Sequence, residues 1–141
     1  MPDRYIATER GIKTYLTRSK HQKNGSGNYS KWKSQNLEIE TFNKADCGTT
    51  VEGTLKSWEC NCHLWGFIKN GNITTIGTKK EQFGFFPATQ NITDDWHGYP
   101  VFPFNGDNEK YDICTELLDS WRDNNELSPD EIATLIKGRL L

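Results

Sequence analysis

Residues with reactive or ligating side chains gather in four places along the 141-residue chain. The densest is DDWHGYPVFPF, 94–104, which sets Asp94, Asp95, Trp96, His97 and Tyr99 beside Pro100 and Pro103. A base or ring could stack on Trp96 or Tyr99 while His97 and Asp95 read its polar edges. Successive carboxylates seldom point at one ion, and no third carboxylate is spaced to complete a divalent site. Prolines and aromatics together also pin long connections. The stretch therefore reads first as a rigid loop and second as a binding surface.

ECNCH, 59–63, raises metal chemistry: Cys60, Cys62 and His63, with Cys47 or Cys114 as a fourth ligand, could surround zinc. Structural zinc sites usually use C-x2–4-C, where a turn brings two sulfurs to one ion. Here a single residue separates the cysteines and a strand follows, which would hold the sulfurs about 7 Å apart. Small buried thiols fit this spacing better, so no metal and no cofactor is expected.

Histidines supply a third possibility. Two imidazoles, or one with Lys and Thr, suffice for metal-independent phosphodiester cleavage: a base takes the 2′-hydroxyl proton, an acid protonates the leaving oxygen, and a cation steadies the phosphorane. His63 and His97 are the candidates for proton transfer, with Thr78, Lys79 and Lys80 on the phosphate. The fourth place is NYSKWK, where Tyr29 and Trp32 interleave with Lys31 and Lys33, the cation-plus-aromatic content of a nucleic-acid contact.

The elements that would position these groups read as follows. Asn70-Gly71 predicts a type I′ turn in a hairpin over 62–78, because both central residues of that turn need positive φ. The register then sets Lys69 opposite Asn72, Ile68 opposite Ile73, Trp65 opposite Ile76 and His63 opposite Thr78. His63, Trp65, Phe67, Ile76 and Thr78 would share one face, and Leu64, Ile68 and Ile73 the other. Apolar groups on both faces predict a central hairpin covered on both sides. LEIETF, 37–42, alternates like a half-buried strand, and 49–59 is a second candidate, with Val51 and Leu55 on one face. Residues 4–16 fit a short helix or strand, and FGFFPAT, 83–89, a short strand. Pro100 and Pro103 should keep 97–104 extended along a sheet edge or over the surface.

Two helices close the chain. The first, about 109–123, carries Cys114, Leu117, Leu118 and Trp121 at helical spacing. The second opens at LSPDEI with Ser128 as N-cap, Pro129 at N1 and Glu131 at N3, a complete capping box. Leu127 and Ile132 occupy the hydrophobic-staple positions, and Ile132, Leu135, Ile136 and Leu140 form the stripe. Strands followed by helices predict an α+β class: a small antiparallel sheet built on the 62–78 hairpin, with the two C-terminal helices packed on one face. Residues 1–141 read as one domain, and 17–36 as a basic mobile loop within it.

Composition narrows function further. Apolar residues make up 34% of the chain, offset by five Trp, five Tyr and seven Phe, which suits a small aromatic core. Net charge is −2, yet residues 1–36 hold eight Lys or Arg against Asp3 and Glu9, a balance of +6, and the remainder balances at −8. Such asymmetry implies an acidic partner for the basic segment, or docking onto the acidic body of the same chain. No apolar run spans a membrane, and the opening MPDRYIATERGIKTYL has no apolar signal core, so a cytoplasmic location with reduced cysteines is expected.

The first expectation is a small binding protein that recognises a partner protein or a nucleotide-like ligand with Trp65, Asp94, Asp95, Trp96, His97 and Tyr99. Its size would suit an immunity or inhibitor protein of a toxin system. The alternatives are a metal-independent ribonuclease and a structural zinc protein.

Overall fold

The structure, a computed structural model, describes residues 3–141. A first hairpin pairs β1 (Arg4–Ile6) with β2 (Tyr15–Thr17) and runs through a 3-10 turn (Ser19–His21) toward α1 (Gln35–Cys47). A second hairpin joins β3 (Thr49–Val51) to β4 (Thr54–Lys56). Then come β5 (Glu59–Cys60), β6 (His63–Gly66), the ribbon of β7 (Lys69–Asn70) and β8 (Asn72–Ile73), β9 (Phe83–Phe86) and β10 (Tyr99–Val101). α2 (Thr115–Asp123) and α3 (Pro129–Ile136) end the chain. The main sheet is antiparallel in the order β10-β9-β6-β5, and the fold is α+β. No helix among the described residues is long and apolar enough to cross a membrane.

Strand alternation divides the core into two layers. Trp65 and Phe85 point to one face, where Trp58, Phe67 and Phe83 join Leu117, Leu118, Trp121, Leu127, Ile132 and Leu135 from the C-terminal helices. Leu64 and Phe86 point to the other, against Phe42 and Ala45 of α1 and against Tyr15 and Trp32. The C-terminal pair thus covers one face, as its amphipathic spacing implies. The capping box is formed, with Ser128 Oγ accepting the Glu131 N–H at 3.1 Å and Glu131 Oε1 accepting the Ser128 N–H at 2.8 Å. Leu127 and Ile132 are both buried, whereas Ile136 and Leu140 at the end of the stripe are half exposed.

Four expectations are corrected. Residues 37–42 are helical. The buried positions Glu38, Thr41, Phe42, Ala45 and Asp46 recur at i, i+3, i+4, i+7 and i+8, a helical stripe hidden because three of its members are polar. Ser34 Oγ caps the helix by accepting the Leu37 N–H at 3.2 Å. Helix α1 comes so close to the sheet that the cross-strand pair Gly66–Gly84 must lack side chains. A Cβ on Gly66 would collide with the Thr41 carbonyl, and one on Gly84 would lie 2.8 Å from Thr41 Cγ2.

The 62–78 hairpin does not form as a unit. The chain reverses at Gly71, but Asn70 faces Asn72 and Lys69 faces Ile73, one residue out of the expected register, and only Gly71 has positive φ there. That slip moves Ile73 to the Trp65 face and Ile76 to the Leu64 face. Strand β6 instead pairs with β9, so Trp65 faces Phe85, and with β5, so His63 faces Cys60. The two-residue loops with both residues at positive φ lie elsewhere: Glu52-Gly53 divides 49–59 into β3 and β4, and Asn61-Cys62 links β5 to β6.

Residues 17–36 are not a loose loop: His21 and Gln22 are buried and Trp32 is fully enclosed. The helix expected over 109–123 starts only at Thr115, after a 3-10 turn at Glu109–Tyr111, with Cys114 as its N-cap.

Candidate functional site

The stretch 94–104 divides into an anchored half and a presented half. Asp94 Oδ2 accepts the Asn91 N–H at 2.9 Å, and Asp95 Oδ1 accepts from Thr14 Oγ1 at 2.6 Å. Trp96 donates its N–H to the Thr14 carbonyl and accepts the Leu16 N–H, both at 2.8 Å, while its half-buried ring lies 6.3 Å from Phe42. The Asp95 side chain and the Trp96 main chain fasten the N-terminal hairpin to the body, while Asp94 closes a turn within its own loop. Beyond them, Pro100 lies on the edge strand β10, the place open to a residue without an N–H.

His97 and Tyr99 turn toward the basic segment. Tyr99 stacks on His21 at 5.0 Å and 21°, and Tyr29 meets the same imidazole edge-on at 5.8 Å and 75°. The Tyr99 and Tyr111 hydroxyls are 2.9 Å apart. His21 Nδ1 lies 2.7 Å from the Ser30 carbonyl; that acceptor places the proton on Nδ1 and leaves Nε2 as a lone-pair acceptor. Lys20 Nζ sits 4.8 Å above the Tyr29 ring. Burial holds both His21 and His97 below the ordinary imidazole range; Arg18 and Lys20 push His97 lower still. Its Nδ1 is buried with no hydrogen-bond partner among the described residues.

The cations of the basic segment fall into two groups. Arg10 and Lys13 reach Asp46 at 3.3 and 2.8 Å, and Arg18 reaches Asp3 at 3.0 Å. Lys20, Lys23, Lys31 and Lys33 make no ion pair among the described residues. The second group is stitched against 76–78. Lys33 donates its N–H to the Ile76 carbonyl at 2.8 Å, and Thr78 donates to the Lys31 carbonyl at 2.9 Å. Lys23, Lys33, Thr78 and Lys80 consequently line one open concavity of about 310 Å3.

Other sequence candidates stand apart. Trp65 is 1% exposed and Trp32 fully buried, its Nε1–H donated to the Gly98 carbonyl at 3.1 Å, so neither can meet a ligand. Trp32 acts as the plug that seats the basic segment. His63 lies in β6 with Nδ1 accepting the Ala88 N–H at 2.8 Å; burial and then the Lys110 charge lower its pKa. It faces Cys60 rather than Thr78, so the proposed set of His63, Thr78, Lys79 and Lys80 is not assembled.

The zinc candidates do not come together as a set: Cys60 neighbours Cys114 and faces His63, while Cys47 and Cys62 lie elsewhere. Cys60 is buried, accepts the Cys114 N–H at 3.1 Å and is pushed up to about 12, chiefly by burial. Cys62 is exposed, and Cys47 ends α1, 3.5 Å from a Glu9 carboxylate oxygen. No group of three or more His, Cys, Asp or Glu among the described residues could hold a metal ion.

Sequence reasoning missed His21, taken as part of a loose loop. Its signal was present: a Trp and a His inside a run of Gly, Ser, Asn and Lys are the groups able to anchor it. No protein-family model, curated protein or solved structure matches this chain.

Proposed function

We propose that this protein binds a single-stranded nucleic acid along the face made by residues 18–33 and strand β10. Bases would stack on the half-exposed ring of Tyr29 and beside the half-buried Tyr99, and Lys20 and Lys31 would meet phosphates. One observation carries this reading. Of the lysines in residues 1–36, those without an acidic partner among the described residues are the four of 20–33, the part of the chain that sets Tyr29 edge-on to His21, which in turn stacks on Tyr99. An overall pI of about 5.9 does not oppose it, because the acidic residues belong to the rest of the chain.

Fluorescence anisotropy with a labelled ten-nucleotide RNA tests the reading. Tyr29, 48% exposed, can be removed without opening the core. Tyr29→Ala should weaken binding about 5- to 100-fold, the worth of one base–aromatic stack. An unchanged affinity, or no binding by the wild type at low salt, would overturn the proposal.

Cleavage of the bound strand is the second reading, favoured by the presence of two imidazoles, His21 and His97, on this face. Acid–base cleavage needs one of them protonated, and both are held below the ordinary range. Binding without turnover therefore has the stronger support. Incubating the same RNA with EDTA and running it on a gel separates the two: cleavage lost in His97→Ala would replace the binding-only reading.

A further inference from the structure

The concavity lined by Lys23, Lys33, Thr75, Gly77, Thr78 and Lys80 differs from the other depressions of this surface in its charge. A wider groove, about 910 Å3, mixes Glu9 and Glu40 with Arg10 and Lys44. Here three lysines line one concavity with no carboxylate among the lining residues, and none of them forms an ion pair among the described residues. Like charges held together repel one another, and an anion placed between them relieves the repulsion.

The backbone maintains this arrangement. The turn at 77–81 closes through Gly77 N–H to the Glu81 carbonyl at 3.0 Å and Lys80 N–H to the Gly77 carbonyl at 3.2 Å, with Lys80 itself at φ +79°. Glu81 is 2% exposed behind Gly77, where Oε1 accepts the Lys79 N–H at 2.8 Å; it braces the turn from inside and is absent from the lining. Left-handed backbone at a non-glycine residue is costly and persists where its surroundings enforce it. On the opposite wall, Lys33 immediately precedes Ser34, the N-cap of the thirteen-residue α1, so the positive end of that helix dipole adds to the field.

We infer that this concavity is an oligophosphate site. Its volume admits a chain of two or three phosphoryl groups, each with a lysine to meet it, and the Thr75 and Thr78 hydroxyls can donate to the remaining oxygens. Either a free inorganic polyphosphate or the phosphorylated 5′ end of a strand presents this chemistry. The concavity by itself does not depend on the proposed strand binding. Only the 5′-end source rests on that reading, because it makes the concavity the terminus of the same path.

Isothermal titration with sodium tripolyphosphate at low salt tests the site directly. Wild type should bind, and Lys33→Ala and Lys80→Ala should each weaken binding roughly tenfold, the value of one charge-assisted contact. Lys137→Ala, an exposed cation at the far end of α3, should change it by less than about twofold. All three lysines are solvent-exposed, and unchanged circular dichroism and melting confirm that the variants are folded. No tripolyphosphate binding, or equal losses at Lys137 and Lys33, overturns the inference.

RNA of one sequence with a 5′-triphosphate or a 5′-hydroxyl identifies the source. Tighter binding of the triphosphate form, lost in Lys80→Ala, assigns the strand end; tripolyphosphate binding without that preference assigns the free anion. If Tyr29→Ala weakens RNA binding while tripolyphosphate fails to bind, this inference falls and the strand-binding proposal stands.

Discussion

The two faces of the central sheet are closed by different physics. Toward α2 and α3 the layer is almost entirely apolar and aromatic: Trp121 meets Phe67 at 5.0 Å and 87° and Trp58 at 5.5 Å and 80°, and Trp58 stacks on Phe67 at 4.7 Å. Toward α1 the apolar layer is bordered by buried polar groups. Glu38, 1% exposed, accepts from Tyr15 Oη at 2.7 Å, Thr17 Oγ1 at 2.8 Å and Gln22 Nε2 at 2.9 Å. Asp46, fully buried, takes Arg10 and Lys13. An apolar layer tolerates exchanges that conserve volume, whereas a polar network loses several partners at once when one member goes. The polar face is also the one that seats the basic segment. Placement of the candidate site therefore depends on a polar latch at Glu38 together with the buried Trp32 plug.

The largest effect should come from the apolar face. Trp121→Ala should cost about 3–5 kcal/mol in urea unfolding, lowering the midpoint for the whole molecule without selectively loosening the N-terminal segment. On the polar face, Glu38→Ala removes the shared acceptor of Tyr15, Thr17 and Gln22, of which Gln22 keeps Thr17, and should cost about 2–4 kcal/mol. Its distinguishing mark is local: amide exchange should accelerate in 15–33 before the rest. Uniform acceleration would erase the contrast between the faces.

Acid should act on the polar face next. Burial raises the Glu38 pKa above its ordinary 4.5, opposed by the hydrogen bonds from Gln22, Tyr15 and Thr17. Its contribution to stability is therefore complete below 4.5 and lost as pH rises through the raised value. His21 and His97 behave oppositely. Their contribution is present above the ordinary 6.5 and lost as pH falls through the depressed values. Amide protection of 18–33 should fall on acidification below neutrality, and His21→Phe should flatten that dependence while Glu38 keeps its own. Protection that ignores pH in both proteins would refute the assignment. The smallest effect belongs to neither face: Cys62 has φ +71° in the β5–β6 turn, and Cys62→Gly should stabilise by about 1 kcal/mol.

How much of this was legible in the sequence follows the same division. The α3 start could be read because capping is local chemistry among Ser128, Pro129 and Glu131, and the edge position of β10 because Pro100 lacks a donor. Helix α1 could not be read from hydropathy, since Glu38, Thr41 and Asp46 occupy its buried stripe. Within the six residues 37–42 the apolar alternation fits a strand equally well. The Asn70-Gly71 register failed for a tertiary reason. FGFF offers β6 a longer apolar partner than 72–78 does, and pairing there overrides a local turn preference. At the candidate site the residue types Tyr29, Lys33, Thr78, Lys80, His97 and Tyr99 were visible. Their juxtaposition was not, because it depends on Trp32 plugging the core and on His21 stacking under Tyr99.

Two absent side chains, at Gly66 and Gly84, set the thickness of the molecule between sheet and α1. Since Lys33 and the Ser34 cap sit at the start of that helix, any methyl inserted beneath its middle would tilt the helix off its bed. Lys33 is held to the Ile76 carbonyl by its N–H at 2.8 Å, so the strain of such a tilt would fall on the junction between Lys33 and the Ser34 cap, at the rim of the lysine concavity. The rim of that concavity is in this way set from beneath the helix, by two positions that lie between α1 and the sheet.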